Sequence, residues 1–231
     1  MPQTIALIGA MPPEISLLQE NLQNLRSEHM ADFDIYCGEY AGKNVVLALS
    51  GIGKVNAALS TALVLQHRPD FVINTGSAGG LGSELKVGDV VIGTQTAHHD
   101  VDVTAFGYAI GHVPRMPARF ESDPALCAAA EKAAAAFEHA AVHRGLIVSG
   151  DQFVHSSESV AEVRRHFPDA QAVEMEAAAI AQSCHRFGVP FVVVRAISDL
   201  ADEEADTSFE TFLKTASVHS AKMVLQLIEA L

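Results

Sequence analysis

Two acidic clusters carry most of the chemistry this chain could perform. Val173-Glu174-Met175-Glu176-Ala177 places carboxylates where a short apolar run gives way to an alanine-rich helical pattern. Val192-Val193-Val194-Arg195-Ala196-Ile197-Ser198-Asp199 sets Asp199 at the mouth of a valine-rich strand, where parallel α/β sheets hold their ligands. Glu14 follows the first apolar strand in the same manner. Taken singly, each acid is ordinary. Glu14 and Glu176 suit the first turn of a helix, where they complement its dipole, and Asp199 suits a strand-end turn. Carboxylates gathered at one kind of strand exit point instead to acid–base work on a polar small molecule.

Other polar motifs say less. Gly76-Ser77-Ala78-Gly79-Gly80 reads as a turn after a buried strand, where glycines let backbone N–H groups approach a ligand. It does not fit the GxGxxG pattern of dinucleotide folds. Gly51-Ile52-Gly53-Lys54 lacks the spacer and the following Ser or Thr of a phosphate-binding loop. His98-His99-Asp100-Val101-Asp102 offers metal-ligand types, but adjacent side chains on a strand point to opposite faces. Cys184 and His185 are neighbours on a helix and do not face each other. No metal and no cofactor is expected.

The elements that must position these acids alternate along the chain. Apolar strand patterns are expected at 5–9, 34–40, 43–50, 71–75, 87–97, 142–149 and 191–197, the last the most hydrophobic. Helical spacing is expected at 12–25, 54–67, 124–138, 157–166 and 176–187. A final helix should start at the capping box Thr207-Ser208-Phe209-Glu210 and lay Phe209, Phe212, Leu213, Ala216, Met223, Val224, Leu227, Ile228 and Leu231 against the sheet. Residues 98–120 show no period and read as a long functional loop. At 231 residues, 1–231 is expected to form a single α/β domain, a three-layer fold with a central mixed, twisted sheet flanked by helices.

Composition narrows the partners. The formal charge is −13, with 28 acidic against 15 scattered basic residues, which argues against nucleic acid and against anionic membranes. Cys37, Cys127 and Cys184 are widely spaced and make no disulfide framework. The N-terminal segment lacks a basic leader pattern, and no apolar run is long enough to span a membrane, so a cytoplasmic protein is expected.

Five segments in order carry a resemblance: Ile8-Gly9-Ala10-Met11-Pro12-Pro13-Glu14, Ser50-Gly51-Ile52-Gly53-Lys54-Val55, Asn74-Thr75-Gly76-Ser77-Ala78-Gly79-Gly80, and the two acidic clusters. Together they closely resemble the bacterial 5'-methylthioadenosine/S-adenosylhomocysteine nucleosidases of the purine nucleoside phosphorylase superfamily, over essentially the whole length. The resemblance implies a nucleoside phosphorylase-like fold. It also implies hydrolysis of the N-glycosidic bond of both thio-nucleosides to adenine and a thioribose, in methionine salvage and methyl-cycle recycling.

By that resemblance Asp199, oriented by Ser198, protonates adenine, while Glu14 activates water with Arg195 nearby. Glu176 accepts from the ribose hydroxyls and Met175 lies against the sugar. Phe153 and Val154 meet the base, and Ser77 and Ala78 line the ribose and water site. Met11, Ile52, Val103 and Phe209 match the apolar alkylthio pocket, and Phe106 and Pro114 match positions supplied by a partner subunit, which implies a homodimer. Pro12-Pro13 stands where relatives often carry acids, and Glu14 keeps its register.

Hydrolysis is expected over phosphorolysis. By the same resemblance, phosphorolytic relatives place arginines in the N-terminal loop and just before the Gly-Ser segment, whereas here the first basic residue is Arg26, Asn74 stands two residues before Gly76, and Glu14 would repel phosphate. Two other readings stay open at this point: a nucleosidase for another 6-amino purine nucleoside, and a nucleoside-binding protein without turnover.

Overall fold

A computed structural model of the chain describes residues 2–134, 140–202 and 205–231. One sheet runs through the molecule. Its strands are β1 (Thr4–Gly9), β2 (Gln23–Met30), β3 (Phe33–Tyr40), β4 (Lys43–Leu49), β5 (Phe71–Gly80), β6 (Val90–His98), β7 (Phe120–Glu121), β8 (Val142–Ser149), β9 (Ala170–Glu174) and β10 (Phe191–Asp199). The helices are α1 (Pro12–Asn21), α2 (Lys54–Val64), α3 (Pro124–Ala134), α4 (Ser157–His166), α5 (Ala177–Phe187) and α6 (Ala205–Ala230).

Strict alternation of apolar residues creates the layers, because successive side chains of a strand leave opposite faces. Ile5 and Leu7 of β1, Val45 and Leu47 of β4, Ile73 of β5 and Val192 and Val194 of β10 pack with Ile15, Leu18, Leu126, Ala130, Met223 and Leu227 of α1, α3 and α6. The intervening Ala6, Ile8, Val46, Ala48, Val72 and Val193 meet Ala57, Val64, Ile180 and Cys184 of α2 and α5. A third cluster sets Val160 and Val163 of α4 under Leu146, Val148 and Val173. This is the mixed sheet flanked by helices that the patterning implies.

Strand β5 shapes the centre. Its first half pairs in parallel with β1, from Ile5↔Phe71 to Ile8↔Asn74. Its second half leaves β1 and pairs with β9 at Gly79↔Val173 and Gly80↔Ala172, while β10 accompanies it along its length. Since β10 also pairs with β6, β6 with β8 and β8 with β9, five strands close into a ring. Strands β1, β4, β3 and β2 extend from that ring as an open wing.

Several expectations need correction. The first helix stops at Asn21, and 23–30 is an edge strand, exposed along almost its whole length. With solvent on both sides, that strand carries no apolar alternation to betray it. Residues 76–80 are not a turn but the continuation of β5, fully buried and laddered to β10. Helix α6 begins at Ala205, so Thr207-Ser208-Phe209-Glu210 lies inside it rather than capping it. Phe212 and Leu231 of its expected apolar stripe are exposed. Helix α3 is described to Ala134, and its expected extension to 138 lies outside the described residues. The 98–120 loop holds one helical turn, Thr104–Phe106, and ends in β7. Among the described residues no helix is long and apolar enough to cross a membrane.

Helix α6 stitches the back of the ring through one hydroxyl. Ser220 Oγ lies 2.6 Å from Thr75 Oγ1, accepts the Gly76 N–H at 3.1 Å and sits 3.2 Å from the Val194 carbonyl. Ser220→Ala should leave the buried Thr75 hydroxyl and the Gly76 N–H without that partner and lower stability by about 1–3 kcal/mol. Urea denaturation checks it.

Candidate active site

Where β1 ends and β5 parts from it, backbone N–H groups lose their strand partners. Glu14, at the third position of α1, fills the gap. Its Oε2 accepts the N–H groups of Ala10 and Met11 at 2.9 and 3.0 Å, and its Oε1 accepts the N–H and hydroxyl of Ser77 at 2.8 and 2.9 Å. Pro12 and Pro13 occupy the first helical positions, where a missing N–H costs nothing. Gly76 is required beside it. Its φ is +149°, and a Cβ there would stand 2.6 Å from Glu14 Oε1 and 2.5 Å from Arg195 Nη1.

At the exit of β9 two acids divide the work. Glu174 accepts the first N–H groups of α5, those of Glu176 at 3.0 Å and Ala177 at 2.9 Å, and also holds the Ser149 hydroxyl. It therefore satisfies the helix start that the sequence pattern suggests for Glu176. Glu176 is released for the cavity, with Oε1 accepting the Gly53 N–H at 2.9 Å from the loop before α2.

Arg195 is fully buried behind these carboxylates. Its Nη2 donates to Glu174 and, at 2.8 Å, to Asn74 Oδ1, and lies 3.4 Å from Glu176 Oε2; Nη1 reaches the Ser77 carbonyl at 3.2 Å. Asn74 is fixed in turn by donating to the Ile8 carbonyl at 3.0 Å. Burial alone would lower the Arg195 pKa, but Glu174, Glu176 and Glu14 hold the guanidinium protonated. One cation cannot neutralise three buried acids. Burial, and next the Glu174 charge, push Glu176 up to about 8.

Asp199 ends β10 beyond an irregularity that shifts the register with β5 between Ile197 and Asp199. Such a bulge re-aims side chains, here turning both Ser198 and Asp199 toward the cavity. Asp199 Oδ1 accepts the Ala201 N–H and Oδ2 the Ser198 hydroxyl, each at 2.9 Å. Burial raises its pKa. Gly79 leaves it room, since a Cβ there would sit 2.9 Å from Asp199 Oδ1.

These groups open on one cavity. Glu14, Ser77, Ala78, Glu176, Ser198 and Asp199 line its floor and ends. Met11, Ile52, Phe153, Val154, Met175 and Phe209 give it apolar walls. The Phe153 and Phe209 rings meet edge-on, with centroids 5.7 Å apart. Arg195 does not line the cavity; it holds the acids from behind. Nor do Val103, Phe106 and Pro114 of the 98–120 loop line it, and Phe106 is 81% exposed. His98 meets Gln182 at 2.9 Å, and burial lowers the pKa of both His98 and His99. The sequence assigns no role to Glu174 or Gln152, and Asn74 stands out in it only as an uncharged residue ahead of the Gly-Ser segment. For Glu174 a signal existed, an acid two and three residues before the first N–H groups of a helix.

The sequence profile described as the phosphorylase superfamily matches residues 4–229. The chain belongs to the phosphorylase superfamily. A 5'-methylthioadenosine/S-adenosylhomocysteine nucleosidase of Anoxybacillus flavithermus is 54% identical over 228 residues, 98% of each chain. The solved structure of the nucleosidase of that name from Neisseria meningitidis, in complex with methylthio-immucillin-A, is 64% identical. It superposes with a TM-score of 0.98, covering 99% of this chain and 100% of that one. The Colwellia psychrerythraea nucleosidase, in complex with adenine, is 44% identical with a TM-score of 0.98, covering 100% and 96%.

In this member of the phosphorylase superfamily the crowding of acids has a measurable signature. Between its ordinary 4.5 and about 8, Glu176 holds a proton in the folded chain that the unfolded chain has released. Stability should therefore fall as pH rises through that window, by at most about 1.4 kcal/mol per unit, and Glu176→Gln should remove that part of the slope. Urea denaturation across the window, wild type against variant, checks it.

Proposed function

We propose that the chain hydrolyses the N-glycosidic bond of 5'-methylthioadenosine and S-adenosylhomocysteine, releasing adenine with 5-methylthioribose or S-ribosylhomocysteine. One observation carries hydrolysis over phosphorolysis. Four acids, Glu14, Glu174, Glu176 and Asp199, line the cavity, and among the described residues no Lys or Arg does. Such a site offers phosphate no cation and suits a neutral water and a sugar that becomes cationic. The relatives named above support the substrate class.

In the proposed mechanism, Asp199 gives its proton to the imidazole nitrogen of the purine as the bond from C1' to the base breaks. The base then leaves as neutral adenine. Burial raises the Asp199 pKa, in the direction an acid needs to keep its proton until the substrate takes it. Glu14 orients a water, accepts one of its protons, and the water oxygen bonds to C1'. Glu176 accepts from the ribose hydroxyls. The soft thioether of Met175 lies against the sugar, and Phe153 and Val154 hold the base. Met11, Ile52 and Phe209 take the alkylthio group.

The alkylthio end is open in a single chain, with Ile52 52% exposed. Val55 and Leu59 continue that exposed apolar face along α2. A second copy, bringing Phe106 and Pro114 from its 98–120 loop, closes that end in the proposed homodimer. Val103 precedes Phe106 on the same loop and travels with it.

Adenine release from 5'-methylthioadenosine should proceed in phosphate-free buffer at a rate that added phosphate does not raise. Asp199→Asn should lower kcat by about 10²- to 10⁴-fold. A rate that climbs with phosphate would return phosphorolysis, and tight binding without turnover would make this a binding protein. For the dimer, sedimentation should show two chains, and Phe106→Ala should raise KM with little change in kcat.

A further inference from the structure

Far from the cavity, three metal-ligating side chains of different chemistry meet where no sequence motif marks them. Glu28 lies on β2, Cys37 on β3, and His67 ends the helical turn Leu65–His67 that follows α2. In the β2–β3 ladder Cys37 stands opposite Arg26, and Glu28 opposite Ile35. Glu28 and Cys37 are thus diagonal neighbours on one face of the ribbon. The same face buries Ile35 and sets Met30 and Cys37 against the cluster that includes Leu65 at the end of α2. Packing thus sets the turn that ends in His67 beside the ribbon face that carries Glu28 and Cys37.

The spacing fits one small ion. Cys37 Sγ lies 3.7 Å from Glu28 Oε1, and His67 Nε2 lies 3.7 Å from Glu28 Oε2. All three donor atoms fall within 4.8 Å of one another. Thiolate, imidazole and carboxylate ligands at about 2.0–2.3 Å in a tetrahedron stand roughly 3.4–3.6 Å apart, so closure needs only small side-chain movements. We propose that Glu28, Cys37 and His67 form a binding site for a thiophilic divalent cation of the Zn²⁺ class, with water completing a four-coordinate shell.

The donor set selects the class. A soft thiolate beside imidazole suits Zn²⁺ and disfavours Mg²⁺ and Ca²⁺, which take oxygen ligands. On binding, a metal–sulfur bond replaces the S–H bond and the thiol proton goes to solvent. The Arg26 side chain, cross-strand from Cys37, is exposed to solvent, which screens its charge. The site has a structural role. It would tie the exposed edge strand β2 to the end of α2, whose other end, about 16 Å away along eleven residues, begins beside Gly53 and Glu176. It is independent of the proposed glycosidic chemistry.

Cobalt(II) is the probe. Added to the full chain after chelator dialysis, it should give thiolate-to-cobalt charge-transfer absorption and the intense visible bands of four-coordinate cobalt, and Zn²⁺ should abolish both. Cys37→Ser should remove the charge-transfer band. His67→Gln and Glu28→Gln should each weaken Zn²⁺ binding, read by calorimetry, by at least about tenfold, since even outer partners of metal ligands are worth that much. All three variants should release adenine at the wild-type rate, which confirms that they fold. No charge-transfer band in the wild type, a band surviving Cys37→Ser, or unchanged Zn²⁺ affinity in His67→Gln would each overturn the proposal.

Discussion

A single buried guanidinium organises the catalytic half of this molecule. Arg195 rises from the middle of the most hydrophobic strand into a place where water cannot reach it, so its charge must be met by protein. Glu174 meets it directly, Asn74 Oδ1 and the Ser77 carbonyl accept further hydrogen bonds from it, and Glu176 stands slightly farther off. Those contacts tie β10 to β5, to β9 and to the start of α5. Burial, and after it the Glu174 charge that one shared cation cannot fully neutralise, raises the pKa of Glu176 beside them.

The second constraint is the parting of β1 and β5. A sheet that splits leaves backbone donors without acceptors, and buried donors must find partners. Glu14 supplies them with a carboxylate held by four hydrogen bonds. The same residue is thereby a helix-start acid and a wall of the cavity. The ordinary reading and the chemical one describe a single geometry here, which is why the residue type alone could not separate them.

Legibility in the sequence followed burial. Strands with two buried faces, such as β1, the first half of β5 and the first half of β10, announce themselves through short apolar runs. Strand β2, wet on both sides, does not, and its polar residues passed for the end of α1. The Gly-Ser-Ala-Gly-Gly stretch misled for the opposite reason. Its glycines mark close approach of Glu14, Arg195 and Asp199 to a strand, not a reversal of the chain. Acids at strand exits were visible as a pattern. Their division of labour was not, because Glu174 and Glu176 differ only in which way a bend in the backbone points them. The Glu28, Cys37 and His67 cluster left no trace at all, since three separate elements contribute one residue each.

The ring of five strands also has one thin seam. It closes between β5 and β9 through only two residue pairs, Gly79↔Val173 and Gly80↔Ala172, joining segments far apart in the chain. Closing the long intervening loop costs entropy that two rungs offset less well than the longer ladders elsewhere in the ring. Glu174 and Glu176 sit directly after that seam. Opening that two-rung seam alone would misplace both acids while leaving the wing and the other seams of the ring paired.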